Sequence, residues 1–140
     1  MSLSDTARFL KLASLVFIFF GGLSALAVIP ILSGPQKFLG ELIYLDFDGS
    51  ITIQTQAELL LTSILGGILV GFGVLLWQLV DKFYQSSPKQ VARVIVIGLS
   101  AWYVVDTTAS IISGAPFNLV LNAGLLGMFL VPLYLSKQSK

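Results

Sequence analysis

Turn-forming and polar residues divide the chain into four long apolar stretches, at 12–32, 59–80, 94–113 and 117–135. Only the third stretch contains a charged residue, Asp106. About 20 helical residues cross the ~30 Å hydrocarbon core of a bilayer, so each stretch is long enough to span it. Helices are required there because unpaired backbone groups are too costly in lipid. The pattern predicts an all-α membrane protein, with one antiparallel bundle of four transmembrane helices over residues 1–140.

Turn signals lie where the spans should end, at Ser33-Gly34-Pro35, Ser86-Ser87-Pro88 and Gly114-Ala115-Pro116. The last connection has only about three residues, which predicts a tight antiparallel hairpin between the third and fourth helices. The first stretch could instead be a signal peptide, since Arg8 and Lys11 precede it. Its apolar core is longer than the usual ~7–15 residues of such peptides, so we expect a retained helix.

Basic residues predict the orientation of the bundle. With four spans, both termini and the second connection share one side, which carries seven basic residues: Arg8, Lys11, Lys82, Lys89, Arg93, Lys137 and Lys140. The opposite side has one basic residue, Lys37. Cytoplasmic loops of membrane proteins carry an excess of lysine and arginine. We therefore expect the N and C termini to be cytoplasmic.

The connection at 33–58 is the only one long enough to fold by itself. Its first part, 37–44, is compatible with a short interfacial helix. An Asp48-Gly49 step between β-prone runs is a hairpin signal, so a β-hairpin is one alternative for the second part. The segment could cap the outer mouth of the bundle, provide a docking surface, or serve as a linker on the membrane surface, which we prefer.

A calcium site in this connection is a weaker alternative. The candidate ligands are Asp46, Asp48 and Glu58. The Asp-x-Asp-Gly fragment lacks the rest of an EF-hand loop, and we predict no metal site.

Asp106 is the most informative residue, because an intramembrane carboxylate is costly and as a rule faces the bundle interior. In the predicted hairpin, Asp106 and Asn122 lie at similar depth on adjacent helices. Helix residues three or four apart share a face. The predicted polar stripe, with an aromatic neighbour, comprises Trp102, Asp106, Thr107, Ser110, Asn118 and Asn122. It could be a proton site or a ligand-orienting site, but we prefer an interhelical hydrogen-bond clamp.

Small residues recur at helical spacing in the second span, at Ser63, Gly67 and Gly71. Such a face permits close approach of helix backbones in membranes. Gly21 and Ala25 provide a similar face in the first span. We prefer packing within the bundle as its role, and homodimerisation is the alternative.

Composition supports a membrane protein and removes most chemistry. The chain is 56% hydrophobic and 11% charged, with a mean hydropathy of +0.92, whereas soluble domains carry about 25% charged residues. It has no cysteine and no histidine, which removes thiolate chemistry, the commonest metal ligand and the usual general base. No catalytic motif or cofactor-binding motif occurs. The net charge of +1 gives no support for nucleic-acid binding.

Two segments resemble known bacterial membrane proteins. Glu58, followed by the glycine-rich apolar segment 64–77, resembles the second helix of small DoxX-like proteins. Segment 102–122 resembles the third-to-fourth helix hairpin of an uncharacterised group of bacterial four-helix proteins. The resemblance implies a four-helix bundle in the bacterial inner membrane. Some DoxX relatives are linked to quinone-coupled sulfur oxidation, but no redox residue here supports that activity.

Three functions are compatible with these observations. The preferred hypothesis is a non-catalytic small subunit or partner of a membrane complex, in contact with lipid and either homo-oligomeric or part of a larger assembly. The second is a binding protein for a lipophilic small molecule such as a quinone, with Asp106 and the two asparagines orienting its polar head. The third is a small proton-coupled transporter or channel subunit.

Overall fold

The computed structural model describes residues 1–138, and its regular structure there is helical. Five α-helices follow one another: α1 (Leu3–Leu26), α2 (Gly34–Tyr44), α3 (Gln56–Phe83), α4 (Pro88–Ile112) and α5 (Asn118–Gln138). All but α2 are long and apolar enough to cross a membrane. The predicted all-α bundle of four spanning helices is confirmed, and the chain is a multi-pass membrane protein. Lys140 and the side chain of Lys137, used in the orientation argument, lie outside the described residues.

The first helix begins and ends earlier than predicted. Ser2 caps α1 by accepting a hydrogen bond from the Asp5 backbone N–H at 3.1 Å, so the helix starts at Leu3 rather than at residue 12. At the other end, Pro30 has no backbone N–H to continue the helix, and Pro30–Leu32 forms a separate 3-10 turn. The helix that contains the first span therefore covers 3–26, and the last part of the apolar stretch at 12–32 lies beyond it.

Local signals set the other helix starts. Thr55 and Glu58 form a reciprocal capping box at the start of α3, in which each side chain accepts from the other's backbone N–H. Pro88 occupies the first turn of α4, where its missing N–H costs nothing. Gly114 turns the chain between α4 and α5 with a φ of +78°, which favours glycine. These devices produce an up-and-down bundle.

The helices α1 and α3 pack backbone against backbone. A Cβ atom added to Gly21 would lie 2.7 Å from the carbonyl oxygen of Gly66, and one added to Gly73 would lie 2.8 Å from that of Ser14. Side chains larger than hydrogen do not fit at these positions. Small residues permit this approach, which gives membrane helices their van der Waals contact.

Phe17 of α1 contacts aromatic residues of the other three spanning helices. Its ring is 1% exposed and makes edge-on contacts with Phe72 of α3, Trp102 of α4 and Phe129 of α5, at centroid distances of 5.5, 5.5 and 5.9 Å. Such edge-to-face pairs are favoured over stacked rings by the aromatic quadrupole. The core of the bundle therefore lies around α1.

The connection between α1 and α3 contains α2 but no strand. The predicted helix in 37–44 is confirmed and extends back to Gly34. The alternative prediction of a β-hairpin in the second part is wrong. The Asp48 carboxylate accepts the Ser50 backbone N–H at 2.7 Å, and hydrogen bonding by the side chain and backbone of Ser50 lowers the pKa of Asp48. Ile51 then packs on Gly40 of α2. An isolated two-stranded ribbon is marginal in water, and this local turn replaces it.

Candidate functional site

The short turn between α4 and α5 brings the predicted polar residues together. The Asp106 carboxylate of α4 accepts a hydrogen bond from the Asn118 side-chain amide at 3.2 Å and another from that of Asn122. Both donors lie on α5, which continues from the turn at Gly114. The hairpin therefore brings the carboxylate and both amides into contact, and Asn122 lies at the depth of Asp106 as the spacing predicted.

Two hydroxyl groups complete this polar cluster. The Asn118 amide also donates to the Ser110 hydroxyl at 2.7 Å, and that hydroxyl donates to the Asp106 carbonyl oxygen at 2.8 Å. The Asn122 amide lies 3.4 Å from the Thr107 hydroxyl. Each asparagine thus directs its N–H groups at partners within the cluster.

The cluster is arranged as a clamp between two helices. Asn122 is 4% exposed, and Thr107 and Ser110 are also buried. Neither salt bridge among residues 1–138 involves Asp106, so its carboxylate is held by neutral donors alone. Asp106 is half-buried, and a carboxylate at such a position costs much less with these donors than if it were left unpaired. The geometry therefore fits a structural contact that sets the register of α4 against α5.

Trp102 does not join the hydrogen-bonded group. Its ring packs edge-on against Phe17 in the core, one turn of α4 away from Asp106. The shared helix face was predicted, but the tertiary contact of this side chain is aromatic.

A cavity of about 770 Å³ lies at the opposite end of the α4–α5 pair. Its volume falls in the range of roughly 300–1,000 Å³ of small-molecule sites. None of the five residues of the polar cluster lines it. The lining residues come from the start of α1, the α3–α4 connection, α4 and α5: Leu3, Tyr84, Pro88, Lys89, Ala92, Arg93, Val96, Ile97, Leu130, Leu133, Tyr134 and Ser136.

This end of the bundle, which we call the basic end, also carries an ion cluster that the sequence pattern did not predict. Lys11 of α1 lies 3.1 Å from the Asp81 carboxylate of α3, and Lys82 lies 3.5 Å from the same group. The Lys11 ammonium is also 5.3 Å from the centre of the Trp77 ring. The antiparallel order of α1 and α3 could have indicated this contact, because it puts residues 11 and 81 near the same membrane surface.

The glycine pair that packs within the bundle differs from the predicted one. A Cβ atom at Gly67 or Gly71 would meet nothing within 4 Å, whereas Gly66 and Gly73 contact α1. The prediction that Gly67 and Gly71 pack within the bundle is therefore wrong. Successive helix residues are rotated by 100°, so the neighbouring residue faces α1 instead. Ser63 is half-buried and bonds the Leu59 carbonyl of its own helix at 3.0 Å.

The three candidate calcium ligands do not converge. The Glu58 carboxylate caps α3 by accepting from the Thr55 backbone N–H at 2.9 Å. Within residues 1–138, no three acidic side chains are grouped closely enough to hold a metal ion.

No protein-family model, curated protein or solved structure matches this chain. The resemblance to DoxX-like proteins therefore stays a prediction.

Proposed function

We propose that the protein is a non-catalytic subunit of an assembly in the bacterial inner membrane, and that it associates with a second copy of itself through α3. The observation that carries this proposal is the open face of α3 at Gly67 and Gly71. These glycines lie four residues apart, so they form one shallow groove on the lipid-facing side. Two such grooves are complementary to each other, as in GxxxG helix pairs, and a twofold axis would place them in contact.

Gln78 supports the same surface. It lies two helical turns beyond Gly71 on α3, is exposed, and has no hydrogen bond to the part of the chain that the structure describes. Glutamine side chains in membranes form hydrogen bonds between helices. In a parallel α3 pair, the two copies of Gln78 would satisfy each other.

The test uses bulky substitutions that the monomer tolerates. Gly67→Ile and Gly71→Ile should abolish self-association in lipid nanodiscs, measured as subunit count by native mass spectrometry, while the thermal unfolding of the monomer in detergent is unchanged. Gly98→Ile is the matched control, since a Cβ atom at this exposed glycine of α4 also meets nothing within 4 Å. A parent protein that is monomeric in nanodiscs, or variants that associate as the parent does, would refute the proposal.

We also propose that the basic end faces the cytoplasm. The support is the positive-inside bias, which includes Lys11 and Lys82 of the ion cluster at that end. The chain has no cysteine of its own. A membrane-impermeant thiol reagent applied from the periplasm should therefore label Ser50→Cys and not Ser87→Cys, and the opposite result would reverse the orientation.

A second candidate function is the binding of a lipophilic small molecule, which the cavity between α4 and α5 favours. In this version the ligand does not contact Asp106 or the asparagines, because the cavity lies at the other end of the hairpin. This candidate is independent of self-association, since the α3 groove contributes no residue to the cavity.

A further inference from the structure

We infer that the cavity between α4 and α5 binds a phospholipid with an anionic headgroup, with the phosphate at Lys89 and Arg93 and one acyl chain between the helices. This inference rests on the second candidate function, because it names the chemical class of the lipophilic ligand. It does not depend on association through α3. The charge, the polar donor and the shape of the cavity each support it.

The two basic residues make the mouth of the cavity selective for an anion. Lys89 and Arg93 are four residues apart on α4 and therefore share a face. Both are exposed and both line the cavity, which has no acidic lining residue. Neither takes part in a salt bridge within residues 1–138. An arginine guanidinium binds phosphate oxygens in a bidentate manner, and a lysine adds a second charge.

Tyr84 provides a polar group deeper in the wall. The residue is 2% exposed and lines the cavity, yet its hydroxyl has no hydrogen bond to any described residue. Its hydroxyl still contacts the open space, since none of the fully buried polar atoms in the described chain is unpaired. A buried tyrosine hydroxyl usually has a partner. A glycerol or ester oxygen of a lipid would supply one.

The remaining lining fits an acyl chain. The cavity extends from Lys89 to Ile97, a distance of about 12 Å along a helix axis that rises ~1.5 Å per residue. Its apolar walls include Ile97, Leu130 and Leu133. Ile97 and Tyr134 are 59% and 62% exposed, so the cavity is open sideways toward the bilayer. A lipid could therefore enter laterally, with its headgroup at the basic end and its chain in the apolar part.

The experiment measures lipid retention by the full-length protein. The protein is reconstituted in nanodiscs of phosphatidylcholine with a minority of phosphatidylglycerol as the anionic lipid, and retained lipid is counted by native mass spectrometry after release. The parent should retain phosphatidylglycerol in preference to phosphatidylcholine. Lys89→Gln/Arg93→Gln should lower that preference about tenfold. Ile97→Trp, which fills the apolar part, should reduce retention of both lipids.

A second double variant controls for general surface attraction. Arg8→Gln/Lys82→Gln removes the same charge from the same end, and neither residue lines the cavity. It should change the preference at least several-fold less than Lys89→Gln/Arg93→Gln, because diffuse attraction to an anionic surface is shared by all the basic residues at this end. Equal losses in the two double variants would overturn the inference, because they would indicate diffuse attraction rather than a site.

Two further results separate the inference from the function on which it rests. Retention of phosphatidylcholine and phosphatidylglycerol without preference, reduced by Ile97→Trp, would overturn the anionic headgroup but keep the lipophilic-ligand function. No retained lipid in a folded parent protein would overturn both. Displacement of the lipid by millimolar inorganic phosphate, with no effect of Ile97→Trp, would identify a phosphate site and would also overturn the inference.

Discussion

The two helix pairs of this protein associate by different means. The α1–α3 pair is held by close backbone contact through Gly21, Gly66 and Gly73, which leaves no space between the helices. The α4–α5 pair is joined at one end by the Asp106 hydrogen bonds and is separated at the other end by the cavity. In lipid, where apolar side chains gain little by leaving the solvent, both small-residue packing and polar contacts can join helices. Only the second leaves room for a ligand.

Each pair therefore has its own role in the proposals. The close-packed pair directs one glycine face inward and leaves the other, at Gly67 and Gly71, open to the membrane. The clamped pair opens toward the basic end, where Lys89 and Arg93 lie. The two pairs would not differ in this way if substitution of a packed glycine and loss of a polar contact lowered the free energy of unfolding equally in both pairs.

The largest expected effect is on the α1–α3 pair. Gly66→Leu should destabilise the protein by about 3 kcal/mol, the upper part of the usual range for overpacking, because the new side chain meets backbone atoms that cannot move aside. Gly67→Leu, one residue away, should leave thermal unfolding in a monomer-forming detergent unchanged. Equal melting temperatures for the two variants would mean that the rotation of α3 described here is wrong.

A smaller effect is expected from the clamp. Asp106→Leu should cost roughly 1–3 kcal/mol, because it removes the acceptor shared by the buried Asn122 amide and the half-buried Asn118 amide. Asp106→Asn keeps the size and one acceptor oxygen, and it should cost less than ~1 kcal/mol. Chemical unfolding in mixed micelles would give both values. A larger loss for the asparagine variant would mean that the negative charge itself stabilises the cluster.

The smallest effect is expected at the ion cluster. Asp81→Asn should lower the free energy of unfolding only slightly, and by less than Asp106→Leu does, because both salt bridges to this carboxylate are exposed to solvent and such pairs are weak. High salt should reduce the difference between the parent and the variant. A loss as large as that of Asp106→Leu would show that the Lys11 contact, and not glycine packing alone, holds α1 to α3.

The polar cluster could be predicted from the sequence because its geometry is local. A turn of a few residues at Gly114 fixes the register of α4 against α5, so Asp106 and Asn122 are at the same depth in any tight hairpin. Trp102 could be assigned only to the face, since its contact is with Phe17 of a distant helix. The cavity could not be predicted at all, because it depends on how α4 and α5 diverge and on where α1 begins.

The number and the type of the spanning helices were determined by the sequence alone, because apolar length and the cost of unpaired backbone groups in lipid leave one solution. Tertiary structure decided which side of each helix faces inward. Gly66 and Gly67 are adjacent and chemically identical, and only the position of α1 distinguishes the packed glycine from the open one. The same holds for segment 45–55, where an Asp48 turn and the contact of Ile51 with Gly40 replace the β-hairpin that the sequence pattern allowed.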